Sequence, residues 1–384
     1  MKVAVLGYGT VGAGVYSMLS DAPGMEAGPV LVRPGKAVES FMVSDAALIF
    51  GDPTVDAVVE TLGGLDPAYF YGMRALEAGK HFITANKAMV AAHGLELAAL
   101  AREKGAAFLF SAACGGGVPF LHNLALSAET DRIEAVSGIL NGTTNYMLDA
   151  MQRRSLSYGD ALREAQSLGY AESDPTADVS GLDALRKMQL ACAVAFGVLP
   201  QSGMLCEGME HFTAADVEDI QSRGLVCRLM ARGSRAGESV SAYVEPVLFP
   251  RAAPESSVFT NNNMARYTGK RCGSIVLMGQ GAGRFPTASA VLRDLSAAQQ
   301  GARSMFPENC RAAEADNREA VHSYYIRTGG FAAVRLPLRS VLAQGEVVRA
   351  VTEPMSAEKM HALAQNIRKD GNDLFFAALE EELC

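Results

Sequence analysis

The residues best able to do chemistry together lie between Gly169 and Lys187. The run Gly169-Tyr170-Ala171-Glu172-Ser173-Asp174-Pro175-Thr176-Ala177-Asp178-Val179-Ser180-Gly181-Leu182-Asp183-Ala184-Leu185-Arg186-Lys187 sets Glu172, Asp174, Asp178, Asp183 and a lysine around a turn and a helix start. Asp183 and Lys187 are four apart and share a helix face. From Met188 to Phe196 the pattern is apolar nearly all round, which marks a buried helix. Its charged first turns must then end in a cleft or in solvent. In a cleft they hold an ammonium beside carboxylates, as proton transfer to a carbonyl requires. A plainer reading stands beside this one. Ser180-x-x-Asp183 resembles a capping box, and Asp183 with Lys187 makes an ordinary i,i+4 ion pair worth little.

A second lysine follows a strand. Thr84-Ala85-Asn86-Lys87 closes the run His81–Thr84, and ligands of parallel sheets bind beyond the carboxyl ends of strands. Lys87 is therefore a candidate for contact with substrate or cofactor, or else a surface lysine. Asn141-Gly142-Thr143 reads as a turn with Thr143 or Thr144 as N-cap, whose free N–H groups suit a carboxylate. It is also a nominal glycosylation sequon, but no signal peptide supports that use.

Gly7-Tyr8-Gly9-Thr10-Val11-Gly12 is a G-x-G-x-x-G run between a strand ending at Leu6 and a helical pattern, Val11–Leu19. In that context Gly7 makes the tight turn, Gly9 lets the backbone approach a pyrophosphate, and Gly12 lets helix and strand pack closely. The strand Val30–Val32 is followed by Arg33-Pro34-Gly35-Lys36 rather than by a carboxylate. Arg33 and Lys36 suit a 2′-phosphate, which favours NADP over NAD; the competing reading is two solvated cations at a turn.

These candidates need elements to position them. Val3–Leu6, Val30–Val32, Ala57–Glu60, His81–Thr84 and Ala106–Phe110 read as buried strands, with helices at Pro67–Ala78 and Gly94–Lys104. The alternation implies a Rossmann-type parallel sheet over residues 1–118. A mixed α+β region follows over 119–280. It has a strand at Val136–Leu140, helices at Asn141–Met151, Tyr158–Leu168 and Gly181–Phe196, and strands at Val240–Phe249 and Ser274–Met278. A helix at Thr287–Leu295, with Thr287 as N-cap, returns to complete the first unit over about 281–300. The stretch 301–384 carries a strand pair and the helix Ser356–Arg368.

The 384 residues are 49% hydrophobic and 20% charged, which describes a globular chain with a large core. No apolar run is long enough for a membrane helix. The net charge of −8, with no basic block, argues against a nucleic-acid surface. Seven cysteines with no C-x-x-C pair fit free thiols in the cytoplasm, and the six histidines show no H-E-x-x-H pair for a catalytic zinc.

As a set these residues resemble homoserine dehydrogenase. The matching pieces are the glycine run 7–12, Thr84-Ala85-Asn86-Lys87, Gly115-Gly116-Gly117-Val118-Pro119, Gly138-Ile139-Leu140-Asn141-Gly142-Thr143-Thr144-Asn145-Tyr146, the segment 169–187, and Gly281-Ala282-Gly283 with Pro286-Thr287-Ala288-Ser289-Ala290-Val291. They occur in the family's order over about 1–295.

The resemblance implies NAD(P)H-dependent interconversion of L-aspartate 4-semialdehyde and L-homoserine, in threonine, methionine and isoleucine biosynthesis. It implies that Glu172 receives the substrate ammonium, that Gly142, Thr143 and Tyr170 position its amino-acid end, and that Asp178 and Asp183 orient the reacting end. It makes Lys187 the proton donor and acceptor, with Lys87 as competitor. It places Thr10, Val11, Thr61, Lys87 and Gly283 against the cofactor. A homodimer through the 240–280 region is implied by analogy. So is a sodium ion held by Ser111, Cys114, Gly116 and Val118, largely through backbone carbonyls, although the family usually has Glu where Ser111 stands.

The tail departs further from the pattern. Relatives often end in a βαββαβ regulatory ACT module, whose first helix is missing or much shortened here around Gly329–Leu338. Two other readings compete: another dehydrogenase of a small amino acid on the same scaffold, and a non-catalytic nucleotide-binding metabolite sensor. The intact 169–187 segment and the presence of both Lys87 and Lys187 weigh against them.

Overall fold

The computed structural model describes residues 1–333 and 335–380. Six parallel strands form the first sheet, in the spatial order Met42–Val43, Glu26–Leu31, Lys2–Leu6, Ala57–Glu60, His81–Thr84 and Phe108–Leu109. Val3 to Leu6, Val58, Val59, Phe82 and Ile83 are fully buried, as strands covered on both faces must be. Strand order reverses between Lys2–Leu6 and Ala57–Glu60, which opens the crevice where doubly wound sheets bind nucleotides.

The helix Arg284–Gln299 returns to this unit and packs on Thr10–Leu19. The approach is so close that a Cβ on Gly14 would stand 2.9 Å from the Arg284 carbonyl oxygen. This helix starts before Thr287, the expected cap. Gly283, at φ 122°, turns the chain into it, and Thr287 N donates to the Gly283 carbonyl at 3.1 Å.

The second sheet is mixed and longer than the sequence pattern suggests. Its order is Gly273–Gln280, Asn262–Gly269, Ile133–Ile139, Leu225–Ala236, Ser239–Pro250, Leu374–Leu379, Tyr324–Gly329, Val347–Thr352 and Leu338–Ala343. Leu225–Ala236 and Asn262–Gly269 are strands that the sequence reading missed. In the first, three arginines break the apolar alternation. One of them, Arg228, is buried and donates to the carbonyls of Glu255 and Ser256, at 3.2 Å each. The long helix Leu182–Phe196 packs against this sheet, and the Ala191–Val194 stretch is buried.

The last segment has more order than one strand pair and one helix. Strand Tyr324–Gly329, the short helix Gly330–Ala333, strands Leu338–Ala343 and Val347–Thr352, helix Ala357–Lys369 and strand Leu374–Leu379 follow one another as βαββαβ. The first helix is four residues long, shortened as expected; Val334, just beyond it, lies outside the described residues. Leu374–Leu379 pairs antiparallel with Tyr324–Gly329 and parallel with Ser239–Pro250, through Val247 to Ala378 and Leu248 to Leu379. The tail is thus stitched into the central sheet.

Candidate active site

Three backbone pieces meet where strand Ile133–Ile139 ends. Asn141, not Thr143 or Thr144, caps the helix Gly142–Arg154: its Oδ1 accepts from Thr144 N at 2.8 Å. With the oxygen so occupied, its Nδ2 donates to Asp178 Oδ1 at 2.7 Å and to Asp183 Oδ2 at 2.9 Å. Asn141 therefore ties together two carboxylates that are remote from it in sequence. The sequence reading missed this role, although Asn is a preferred N-cap.

Gly181, at φ 83°, leads into the helix Leu182–Phe196, and no side chain caps that end. The capping box of Ser180 and Asp183 does not form. Asp183 instead faces two cations: Lys187 Nζ lies 2.7 Å from Oδ2 and Lys87 Nζ 3.1 Å from Oδ1. The partner that sequence could not supply for Lys87 is the same carboxylate. Lys187 Nζ also donates to the Leu140 carbonyl at 2.6 Å.

Burial works against the charged form of both partners of the Asp183–Lys187 pair, and pairing overrides it. Asp183 ends well below the ordinary carboxylate range, held there by Lys187, Lys87 and the Asn141 amide. Lys187 ends above the ordinary lysine value, raised by Asp183. Asp178, half-buried, moves the other way: burial raises it, and Asp183 adds to the rise.

These groups line a cleft of about 630 Å3 together with Gly142, Thr143, Tyr170, Glu172, Arg186, Gly116 and Gly283. Thr143 Oγ1 donates to the Tyr170 carbonyl at 2.5 Å, which joins the helix start to the acid segment. Glu172 is exposed and makes no ion pair among the described residues. Asp174 instead accepts from Thr176 N and Oγ1, closing its own turn.

A second cleft of about 1150 Å3 lies over the reversal of strand order. Its lining includes Gly7, Gly9, Thr61, Arg33 and Lys36. Gly7 is at φ 97°, a Cβ on Gly12 would stand 2.2 Å from the Gly7 carbonyl oxygen, and one on Gly9 would meet nothing within 4 Å. The three glycines thus turn, pack and leave room for a ligand, in that order. Thr10 opens the helix and Val11 follows. Lys87 and Gly283 line the other cleft, with the charges.

The family model for homoserine dehydrogenase matches residues 119–296, and that for its NAD-binding domain matches residues 7–111. The chain belongs to the homoserine dehydrogenase family. The homoserine dehydrogenase of Corynebacterium glutamicum is 38% identical over 314 residues, covering 76% of this chain and 70% of that one. That of Bacillus subtilis is 34% identical, covering 79% and 74%. The solved homoserine dehydrogenase of Thiobacillus denitrificans superposes with a TM-score of 0.87 at 29% identity, covering 99% of this chain and 98% of that one.

The protein is accordingly an oxidoreductase, a homoserine dehydrogenase that interconverts L-aspartate 4-semialdehyde and L-homoserine with NAD(P)(H). No helix among the described residues is long and apolar enough to cross a membrane.

The loop expected to hold sodium in this homoserine dehydrogenase is differently equipped. Ser111 Oγ donates to Asp294 Oδ1 at 2.5 Å, and Ser111 N to Asp294 Oδ2 at 2.8 Å. The Ser111 carbonyl accepts from Cys114 N, and the Val118 carbonyl from Phe120 N at 2.7 Å. Arg293 brings a positive charge: its Nη2 lies 3.5 Å from the Gly117 carbonyl, and its buried Nη1 has no partner among the described residues. The Cys114 thiol is buried and pushed up to about 12, so it offers no thiolate. Among the described residues no three acids, histidines or cysteines gather as a metal site. Of the four carbonyls expected to face the ion, those of Ser111 and Val118 thus already accept backbone bonds.

Proposed function

We propose that Lys187 is the acid and base of the reaction, with Asp183 and Lys87 sharing its charge network. The observation that carries this is the double ion pair on Asp183, which fixes two ammonium groups at the wall of one cleft. Reduction of the semialdehyde adds hydride to the carbonyl carbon and leaves an alkoxide, which takes the Lys187 proton. In the oxidising direction the neutral amine of Lys187 accepts the hydroxyl proton as hydride leaves. The bound nicotinamide supplies or receives that hydride.

The amino-acid end of the substrate is assigned to the other side of the cleft. Glu172 is the unpaired carboxylate for the ammonium. The N–H groups of Gly142 and Thr143, at the start of a 13-residue helix, suit the carboxylate, with Tyr170 beside them. Asp178, tied to Asn141, orients the reacting end.

The cofactor is proposed to lie along the glycine run with Gly7, Gly9, Thr10, Val11, Gly12 and Thr61, and to reach Lys87 and Gly283. NADP is preferred, because Arg33 and Lys36 are exposed at the cleft and no ion pair engages either among the described residues. An archaeal homoserine dehydrogenase of related fold has been solved in complex with NADPH, with a TM-score of 0.67 and 24% identity, which supports nicotinamide binding on this scaffold. Loss of nicotinamide absorbance on adding aspartate semialdehyde, with NADPH against NADH, tests the reaction and the preference together.

We further propose a cytoplasmic homodimer. The edge strand Gly273–Gln280 leaves Val276 and Met278 exposed, an apolar row that suits a second copy.

A further inference from the structure

The tail of this chain reaches the carboxylates of the cleft through one ion pair and one backbone contact. Arg368, on the helix Ala357–Lys369, grips Glu207 through two bonds, Nη1 to Oε2 at 2.9 Å and Nη2 to Oε1 at 2.6 Å. The same guanidinium donates to the Leu374 carbonyl at 2.8 Å, so it is anchored at both ends within the tail. Glu207 is buried. Such a bidentate charged pair fixes direction as well as distance.

Glu207 sits against the turn that carries the site. Met209 N donates to the Val179 carbonyl at 2.9 Å, and Cys206 Sγ to the Ser180 carbonyl at 3.0 Å. Between them, a Cβ on Gly208 would stand 2.3 Å from the Val179 carbonyl oxygen and 2.6 Å from Ser180 Cα, so two backbones touch there. Gly181, at positive φ, packs against Cys206 and the Glu207 carbonyl. Asp178 lies one residue before this turn, and Asp183 two residues after it. The turn is closed by its own backbone bonds, Gly181 N to the Asp178 carbonyl and Ser180 N to the Thr176 carbonyl at 3.0 Å each, while the buried Ser180 hydroxyl has no partner among the described residues, so the segment Cys206–Met209 is its outside support.

We propose that the Arg368–Glu207 pair is a positioning element of the reaction. Through Gly208 it fixes the turn Val179–Gly181, and so the placement of Asp178 and Asp183 toward the substrate. In this chain the C-terminal module is then a brace of the catalytic site. The proposal rests on the roles assigned above to Asp178, Asp183 and Lys187.

The test uses the full-length enzyme with Arg368→Met, Arg368→Lys and Glu207→Gln. Arg368→Met keeps the packed stem and removes the grip. It should lower kcat/KM for the semialdehyde by about tenfold or more, with the NADPH KM unchanged within about twofold. Arg368→Lys, which keeps one charged bond, should recover most of the loss. If Arg368→Met does not fold, Glu207→Gln carries the same expectation with a milder change. A lower melting temperature with unchanged kcat/KM would overturn the proposal, as would equal losses for substrate and cofactor. Asp183→Asn is the parallel control. If it leaves turnover intact, the roles of the site residues fall; if it abolishes turnover while Arg368→Met and Glu207→Gln do nothing, only the brace falls.

Discussion

Asp183 and Lys187 stand one helical turn apart with 2.7 Å between Oδ2 and Nζ, and the other carboxylate oxygen of Asp183 holds Lys87 at 3.1 Å. An i,i+4 pair on a solvated helix contributes little. Here the pair is walled in by Asn141 and the Leu140 carbonyl, so removing one member strands charge in a cleft.

The two lysines should separate by kinetics. Lys187→Ala should lower kcat by about a hundredfold or more while the cofactor still binds, the usual loss with a general acid. Lys87→Ala should also raise the cofactor KM. Near-normal kcat in Lys187→Ala, with turnover abolished in Lys87→Ala and cofactor still bound, would reverse the roles.

Many of the residues that line the two clefts were legible in the sequence as candidates, and the reason is local. The glycine run, the lysine after strand His81–Thr84 and the segment 169–187 each carry their meaning within a few residues. The contribution of Asn141 was not legible, because its partners lie 37 and 42 residues away and meet it only through the fold. The partner of Lys87 was hidden for the same reason. Strand Leu225–Ala236 escaped notice because its buried Arg228 is satisfied by carbonyls of a distant turn, which no periodicity reveals. In the tail the shortened first helix was legible, but the parallel pairing of Leu374–Leu379 with Ser239–Pro250 was not, because it joins strands remote in sequence.

The pH dependence of the two directions should differ. Lys187 is raised above its ordinary value, so its ammonium persists well past neutrality. Reduction uses that ammonium and should hold its rate until pH passes the raised pKa. Oxidation uses the neutral amine and should climb with pH, by about tenfold per unit between roughly pH 7 and 9 while chemistry limits. The pair's stabilisation is full below the ordinary lysine pKa and is lost above the raised one. On the acid side it is present above the ordinary Asp pKa and is lost as pH falls through the lowered one. Initial rates in both directions across this range check the claim; parallel profiles would contradict it.

Arg33→Ala should raise the NADPH KM with little effect on that for NADH. Arg33 and Lys36 line the larger cleft without acidic partners among the described residues, and a 2′-phosphate is the charge they suit. An unchanged NADPH KM would remove Arg33 from the cofactor site.

Threonine should inhibit weakly or not at all. The βαββαβ tail has only the four-residue helix Gly330–Ala333 where a regulatory module would carry a full first helix, and its last strand is pinned to the catalytic sheet. Initial rates against threonine concentration provide the measurement. Strong cooperative inhibition at sub-millimolar threonine would show that the tail senses ligand despite its short helix.

Monovalent cations should not be required. A cation at the loop Ser111–Val118 would draw on the four expected carbonyls, and two of them, Ser111 and Val118, already accept backbone bonds. Ser111 is committed to Asp294 by both its hydroxyl and its N–H, and the Val118 carbonyl is taken by Phe120 N. Arg293 already sets a guanidinium against Gly117, so an added ion would meet a like charge at short range in a poorly solvated place. Replacing sodium by potassium or by a bulky organic cation at constant ionic strength should leave both kcat and the melting temperature unchanged. The double substitution Ser111→Glu with Arg293→Met adds a negative charge beside the loop and removes the positive one, and it should make the melting temperature rise saturably with sodium. A saturable rise of rate or melting temperature with sodium in the unsubstituted enzyme would show that the loop binds the ion after all.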